Sequence, residues 1–198
     1  MSAPRARLVL ASASPRRREL LARAGLAFTV DPADVDEDFA PDLAPEAAAR
    51  LLAERKARAV AVRHAPGTLV LGADTIVAVP RGHAHEYLGK PRDAEEAAAM
   101  LARLAGTRHA VVTGLCVVRA PAGPLHGDHE RTWVRMRALA SEEIRAYVAS
   151  GEWRDKAGGY AIQESADRFV TDLEEGGFDN VVGLPVARAL ALLAAAGG

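Results

Sequence analysis

The chain has 198 residues, of which 49% are hydrophobic and 26% are charged, and this composition excludes disordered and low-complexity proteins. Its length suits one domain, residues 1–198, with a core large enough to fold without a metal or a disulfide. The 25 lysines and arginines nearly balance the 26 aspartates and glutamates. The formal net charge of −1 therefore excludes a general attraction to nucleic acid or anionic membranes.

The first predicted elements are a strand, a helix and a second strand. Residues 8–12 read as a short buried strand, and residues 28–30 as another. Between them, Ser14 is placed to cap a helix whose first residue is Pro15, and Gly25 supplies its stop. Alternation of strand-like and helix-like periods along the chain predicts an α/β fold.

The remaining elements continue this alternation. We expect helices from Pro45 to about His64, from Asp93 as cap to Gly106, from Ser141 as cap to Gly151, and after Pro185. We expect strands over 68–79, interrupted by a turn at 72–75, and over 108–118 and 130–139, joined by the turn-rich residues 121–128.

Cellular location is inferred from short apolar runs and cysteine content. The apolar run at 8–11 is too short for a signal peptide, and the run at 184–196 is too short to span a membrane. The single cysteine, Cys116, excludes an internal disulfide and is flanked by apolar residues typical of a core. We therefore expect a cytoplasmic protein.

An arginine-rich helix start is the first candidate for function. Residues 12–18 place Ser14 and three consecutive arginines at the end of a strand and the beginning of a helix. Backbone N–H groups at a helix N-terminus attract anions, and arginine binds phosphate oxygens in a fork. A solvated helix start with its charges facing water is the alternative.

Carboxylates form the second group of candidates. Asp74 lies in an apolar stretch, where it is either a turn residue or a metal ligand or general base. Asp34, Asp36 and Glu37 belong to an acidic run that could collect Mg²⁺ or Mn²⁺, or could be a solvated loop.

Lysine and glycine motifs complete the candidates. Lys56 lies on a predicted helix, and Lys90 precedes a proline that stiffens the chain, although the spacing is not that of a Walker motif. The two glycines at 158–159 suggest backbone close to a ligand, and the amide of Gln163 suits a nucleobase edge. A plain loop entering a strand is the alternative there.

These segments together resemble the Maf family of nucleoside triphosphate pyrophosphatases. The motifs are, in order, LASASPRR at 10–17, GADT at 72–75, GKP at 89–91, TG at 113–114, DKAGGYAIQ at 155–163 and NVVGLP at 180–185. The match runs from Leu8 to about Leu193. The resemblance implies an inosine-triphosphatase-like α/β fold, with a long central mixed sheet flanked by helices and two lobes with an active-site cleft.

The resemblance also implies an activity and a set of site residues. It implies metal-dependent hydrolysis of a nucleoside triphosphate to a monophosphate and pyrophosphate, with Mg²⁺ or Mn²⁺ as cofactor. No nucleic-acid or membrane partner is expected, and a homodimer is possible. The implied proton acceptor is Asp74. The implied base-selecting residues are Arg16, Thr75 and Gln163, and the implied phosphate and metal residues are Ser14, Arg17, Asp36, Lys56 and Lys90. Asp74 is implied to share the metal with Asp36, in whose place Asp34 or Glu37 is the alternative.

The substrate preference implied by the resemblance is for pyrimidines. Arginine at positions 16 and 17 favours the dTTP/UTP branch of the family over its 7-methyl-GTP branch. Glu164 departs from the glycine that is usual after Gln163 in that branch, and the loop at 81–86 is atypical. A nucleotide-sensing regulator of cell division that acts by binding is the alternative function.

Overall fold

A computed structural model describes residues 7–197 of the chain. Its strands are Leu8–Leu10 (β1), Thr29–Val30 (β2), Leu69–Arg81 (β3), Ala84–Leu88 (β4), Arg108–Arg119 (β5), Leu125–Met136 (β6) and Val170–Glu174 (β7). Its α-helices are Pro15–Arg23 (α1), Pro45–Ala61 (α2), Ala94–Leu104 (α3), Ser141–Ser150 (α4), Phe178–Val182 (α5) and Val186–Gly197 (α6). Two 3₁₀-helices span Ala157–Gly159 and Ser165–Phe169.

The strands form one mixed sheet in the order β2-β1-β3-β5-β6-β7, and β4 pairs with β3. β1 runs parallel to β2 and β3, with Leu10 opposite both Val30 and Leu71. The β3–β4 and β6–β7 pairs are antiparallel. The α/β fold with a mixed sheet flanked by helices, predicted from the sequence, is therefore confirmed.

The described residues divide into two compact units, and β3, β5 and β6 each contribute to both. The first unit comprises residues 7–74, 113–130 and 183–197, and the second comprises 75–112 and 131–182. That the whole chain acts as one domain stays a prediction.

Alternating side chains give the first unit a core on each face of its strands. Leu8 and Leu10 of β1 belong to a buried cluster with residues of α1 and α6. Val9, between them, belongs to a second cluster with Ala53 and Ala57 of α2. Successive side chains of a strand point to opposite faces, so α2 covers one face of these strands while α1 and α6 cover the other.

The second unit has its own core, in which α3 and α4 pack with aromatic side chains. Tyr147 of α4 meets Phe169 edge to face with ring centroids 5.5 Å apart, and both are buried. Asn180 of the NVVGLP motif is also buried there, where its Nδ2 donates to the Val111 carbonyl at 3.0 Å and to Thr132 Oγ1 at 2.9 Å. Asn180 therefore satisfies buried polar groups inside this unit.

Local capping chemistry was predicted well at some helix starts and wrongly at another. Ser14 caps α1, since its Oγ accepts a hydrogen bond from the Arg17 N–H at 3.4 Å, and Asp93 caps α3. The expected cap at Ser141 is wrong because Ala140 occupies the cap position. There the Glu143 carboxylate accepts the N–H of the cap residue Ala140 at 3.0 Å, which is one of the two hydrogen bonds of a capping box.

Several predicted boundaries are also wrong. The expected turn at 72–75 does not exist, because β3 runs through it without interruption. The helix from Pro45 ends at Ala61 rather than near His64, and the last of the expected strands begins at Leu125 rather than at residue 130. β4, β7 and α5 were not predicted at all. No helix within residues 7–197 is both long and apolar enough to cross a membrane.

Candidate active site

The position of Asp74 follows from how β3 packs against α2. Val70 of β3 lies in the same buried cluster as residues of α2, and the period of two places Gly72 and Asp74 on that face as well. A Cβ on Gly72 would come within 2.8 Å of the Ala57 backbone nitrogen. Glycine is therefore required here for the helix to lie directly against the strand.

This close approach brings Lys56 to Asp74. The Lys56 ammonium donates a short hydrogen bond to Asp74 Oδ1, and both residues are only 8% exposed. The same ammonium forms an ion pair with Glu37 Oε1 at 2.6 Å. One buried lysine thus joins two carboxylates, of which Glu37 is half exposed and Asp74 is buried.

The carboxylates of the acidic loop at 34–38 make different contacts. Asp36 Oδ1 accepts a hydrogen bond from the Asp38 backbone N–H at 2.8 Å, so it shapes the loop. Arg55 donates to the carbonyl oxygens of Asp36 at 3.1 Å and Asp38 at 2.5 Å, which ties the loop to α2. Of the alternatives Asp34, Asp36 and Glu37, the structure brings Glu37 to Lys56.

Arg17, at the N-terminus of α1, is held by one nearby residue and by one distant part of the chain. Its Nε donates to the Gly183 carbonyl at 2.8 Å, and one terminal nitrogen donates to Ser12 Oγ at 3.1 Å. Burial lowers the pKa of Arg17. The negative charge of Asp74 raises this pKa, the positive charge of Arg16 lowers it further, and the negative charge of Glu37 raises it. A bound anion would favour the charged guanidinium and so oppose this lowering of the pKa.

Three of the predicted site residues lie in the second unit. Thr75 follows Asp74 in β3 and is half-buried, whereas Lys90 and Gln163 are exposed. The Gly158 N–H donates to the Gly89 carbonyl at 2.9 Å, so the glycine pair lies beside the segment that carries Lys90. Gly158 has a φ of 72°, which is the backbone region that favours glycine.

The structure thus brings together some of the predicted residues and adds others. Lys56 and Asp74 are in contact, Ser14 caps the helix that carries Arg16 and Arg17, and the charges of Asp74 and Arg16 act on Arg17. The roles assigned to Thr75, Lys90 and Gln163 stay predictions. Sequence reasoning missed Ser12 and Gly183 as partners of Arg17, and a bond between residues 166 positions apart has no local sequence signal.

The carboxylates of the first unit are chemically suited to a divalent cation. Asp74 and Glu37 supply oxygen ligands, and both already lie at ion-pair distance from one cationic group. Mg²⁺ is usually held by one or two carboxylates together with substrate phosphates and water. Within residues 7–197, no three His, Cys, Asp or Glu side chains are grouped so that they could hold an ion alone. A cation shared with the substrate fits this pair.

Comparison with known proteins decides the family. A family model described as Maf-like protein matches residues 7–196 of the chain. The chain belongs to the Maf family. The resemblance carried by the sequence motifs is therefore confirmed over nearly the whole chain.

Several proteins similar to this Maf protein are named dTTP/UTP pyrophosphatase. The dTTP/UTP pyrophosphatase of Moorella thermoacetica is 52% identical over 188 residues, covering 95% of this chain and 94% of that protein. The dTTP/UTP pyrophosphatase of Myxococcus xanthus is 51% identical over 202 residues, covering 100% and 96%. The dTTP/UTP pyrophosphatase of Salinibacter ruber is 49% identical over 181 residues, covering 91% of this chain and 86% of that protein.

Among solved structures, a nucleoside-triphosphatase (dITP/XTP pyrophosphatase) of Mycobacterium abscessus matches with a TM-score of 0.40 and 19% identity, covering 67% of this chain and 75% of that one.

Proposed function

We propose that this Maf protein hydrolyses dTTP, UTP and modified pyrimidine nucleoside triphosphates to the monophosphate and pyrophosphate, and so removes unwanted nucleotides from the cytoplasmic pool. The observation that carries the proposal is the buried Lys56 ammonium joined to both Asp74 and Glu37. Relatives at about half identity that are named dTTP/UTP pyrophosphatase support the choice of substrate.

The reaction is the attack of water on the α-phosphorus. A new oxygen–phosphorus bond forms, the bond from the α-phosphorus to the bridging oxygen breaks, and pyrophosphate leaves with that oxygen. Asp74 accepts the proton of the attacking water, a role worth roughly 10²–10⁴-fold in rate. Lys56 holds the Asp74 carboxylate in place, so the acceptor is oriented before the substrate arrives.

Cations held in place beforehand stabilise the charge that develops on the phosphate oxygens. Arg17 is suited to this because Ser12 and Gly183 hold its guanidinium at the N-terminus of α1. Ser14, at the same helix N-terminus, adds polar contacts to phosphate. Lys90, an exposed lysine of the second unit, is assigned to the phosphates as well.

A divalent cation, Mg²⁺ or Mn²⁺, would be held by Asp74 and Glu37 and would neutralise negative charge on the phosphate oxygens. Glu37 takes the role first assigned to Asp36, since Asp36 Oδ1 is bonded within its own loop. Arg16, Thr75 and Gln163 are assigned to the base. The Gln163 amide has both a donor and an acceptor, as the edge of a pyrimidine requires.

The experiment is a panel of nucleoside triphosphates with Mg²⁺ or Mn²⁺, in which pyrophosphate and orthophosphate are measured separately. We expect pyrophosphate as the first product, with dTTP and UTP ahead of purines. Asp74→Asn should lose at least about 100-fold in kcat. Asp128→Asn, which changes a carboxylate paired with Arg188, is the matched control and should keep full activity. Nucleotide binding without turnover would instead support the regulator that acts by binding.

A further inference from the structure

Gln163 lies at the tip of a tight turn in the second unit. The Glu164 N–H donates to the Ala161 carbonyl at 3.1 Å, which makes Ile162 and Gln163 the two central residues of the turn. Ile162 is buried, whereas Gln163 is exposed. An exposed amide discriminates between bases only if its backbone is held in one place, because otherwise binding must supply the ordering free energy.

On its C-terminal side, the turn is fixed by a buried lysine. Lys156 is 8% exposed, and its ammonium forms an ion pair with Glu164 Oε2 at 3.2 Å. The same ammonium donates to the carbonyl oxygens of Glu152 and, at 3.5 Å, of Arg154. Lys156 therefore connects Glu164 to the backbone that follows α4.

A second connection lies one residue further along the chain. Glu152 Oε2 accepts hydrogen bonds from the Ser165 backbone N–H at 3.0 Å and from Ser165 Oγ at 2.7 Å. Two contacts therefore join the beginning of the segment 152–165 to its end. Glu152 accepts hydrogen bonds from Ser165, and Lys156 pairs with Glu164. Hydrogen bonds to a carboxylate are stronger than neutral ones, so both connections restrain the turn.

The N-terminal side of the turn is fixed by burial. Tyr160 is 6% exposed, its hydroxyl lies 2.8 Å from His109 Nε2, and the two rings meet edge to face. Buried side chains at 160–162 and charged contacts at 164–165 therefore leave Gln163 as the exposed residue between two anchored flanks.

We propose that Glu164 and Glu152 are positioning residues that, through Lys156 and Ser165, hold Gln163 for selection of the pyrimidine base. The inference rests on the function proposed above and deepens it. Glu164 does not contact the reacting atoms. It acts through Gln163, so its loss changes which nucleotide is accepted more than it changes the rate of the chemical step.

The test compares kcat and KM for UTP and GTP in Glu164→Ala, Glu164→Gln and the control Glu142→Ala, which removes an exposed ion pair with Arg145 on α4. Glu164→Ala should raise KM for UTP and reduce the preference for UTP over GTP by about five- to tenfold, with kcat within about twofold. Glu164→Gln keeps an oxygen acceptor for Lys156 and should restore most of the preference. Glu142→Ala should match the wild type.

Two further measurements separate a positioning role from a merely structural one. In a Gln163→Ala background, adding Glu164→Ala should cause no further loss of preference, because the two residues act as a unit. Amide exchange at Ser165 should be faster in Glu164→Ala than in the wild type. Equal losses for both nucleotides, or losses that add to those of Gln163→Ala, would overturn the inference while leaving the proposed function intact. A wild-type protein that releases no pyrophosphate from any nucleotide would overturn both.

Discussion

Lys56 and Asp74 form a buried ion pair between helix α2 and strand β3, with only about a tenth of each side chain exposed. The chain has 22 arginines but only three lysines, at 56, 90 and 156. A compact ammonium can donate to two carboxylates from one point, whereas a planar guanidinium donates through a fixed fork. Lysine at 56 is therefore suited to joining Asp74 and Glu37.

Removing Lys56 should cost more stability than removing the whole pair. Lys56→Met leaves the buried Asp74 carboxylate without the ammonium that pairs with it, and we expect the free energy of unfolding to fall by about 3–5 kcal/mol. The double variant Lys56→Met with Asp74→Asn should recover a large part of that loss, because no buried charge remains unpaired. Urea unfolding of the two single variants and the double variant measures the coupling, and strictly additive losses would contradict it.

Asp36 and Glu37 should respond differently to the loss of charge. Asp36→Asn retains the oxygen that accepts the Asp38 N–H, so activity and the Mg²⁺ concentration needed for half activation should stay within about twofold. Glu37→Gln removes a carboxylate from Lys56 and should raise that Mg²⁺ requirement by about tenfold or more. The reverse order of effects in a Mg²⁺ titration would show that Asp36 holds the ion.

Gly72 should tolerate no side chain. A Cβ there would lie 2.8 Å from the Ala57 nitrogen and 3.0 Å from the Ala57 Cβ, so Gly72→Ala must push α2 away from β3. We expect a loss of about 1–3 kcal/mol together with a loss of activity, since Lys56 moves with the helix. Gly127→Ala meets nothing closer than 3.5 Å and serves as the matched control in thermal unfolding. An equally mild effect at both glycines would show that the contact is not tight.

His109 should make stability depend on pH. Burial lowers the pKa of His109 to about 4, below its ordinary value of 6.5. Between these values the unfolded chain binds a proton that the folded chain does not, so stability falls as the pH drops from about 6.5 towards 4. The loss at pH 5 relative to pH 7 should be about 2 kcal/mol greater in the wild type than in His109→Gln.

The matched control for His109 is His83→Gln, since residue 83 is exposed in the turn between β3 and β4. Urea unfolding at pH 7 and pH 5 gives the difference for each variant. We expect His83→Gln to follow the wild type. Identical pH dependence in His109→Gln and the wild type would show that folding leaves the pKa of His109 at its ordinary value.

Elements whose signals are local could be predicted from the sequence. Ser14 followed by Pro15 marks the start of α1, because the capping hydroxyl and the fixed φ of proline act within one turn. The same local reasoning gave a wrong prediction at Gly72, where a turn was expected. A glycine two residues before an aspartate favours a turn locally, whereas here the packing of α2 requires the glycine inside a continuous strand.

The candidate site could be predicted only in part for a related reason. Asp74, Lys56 and Arg17 were named as candidates from their residue types and motifs, and the structure brings Lys56 to Asp74. The choice of Glu37 over Asp36 depends on a loop whose backbone is tied by Arg55, 17 to 19 residues away in the chain. The sequence of the acidic run does not show which carboxylate faces Lys56, because the contact between the loop and α2 determines which one does.

The measurement that tests the proposed chemistry most directly is hydrolysis of UTP in water enriched in oxygen-18, followed by mass analysis of the products. Attack on the α-phosphorus predicts that the heavy oxygen enters the monophosphate and that the pyrophosphate carries none. Label in the pyrophosphate, or orthophosphate released with the diphosphate, would show attack at another phosphorus and contradict the reaction assigned to Asp74.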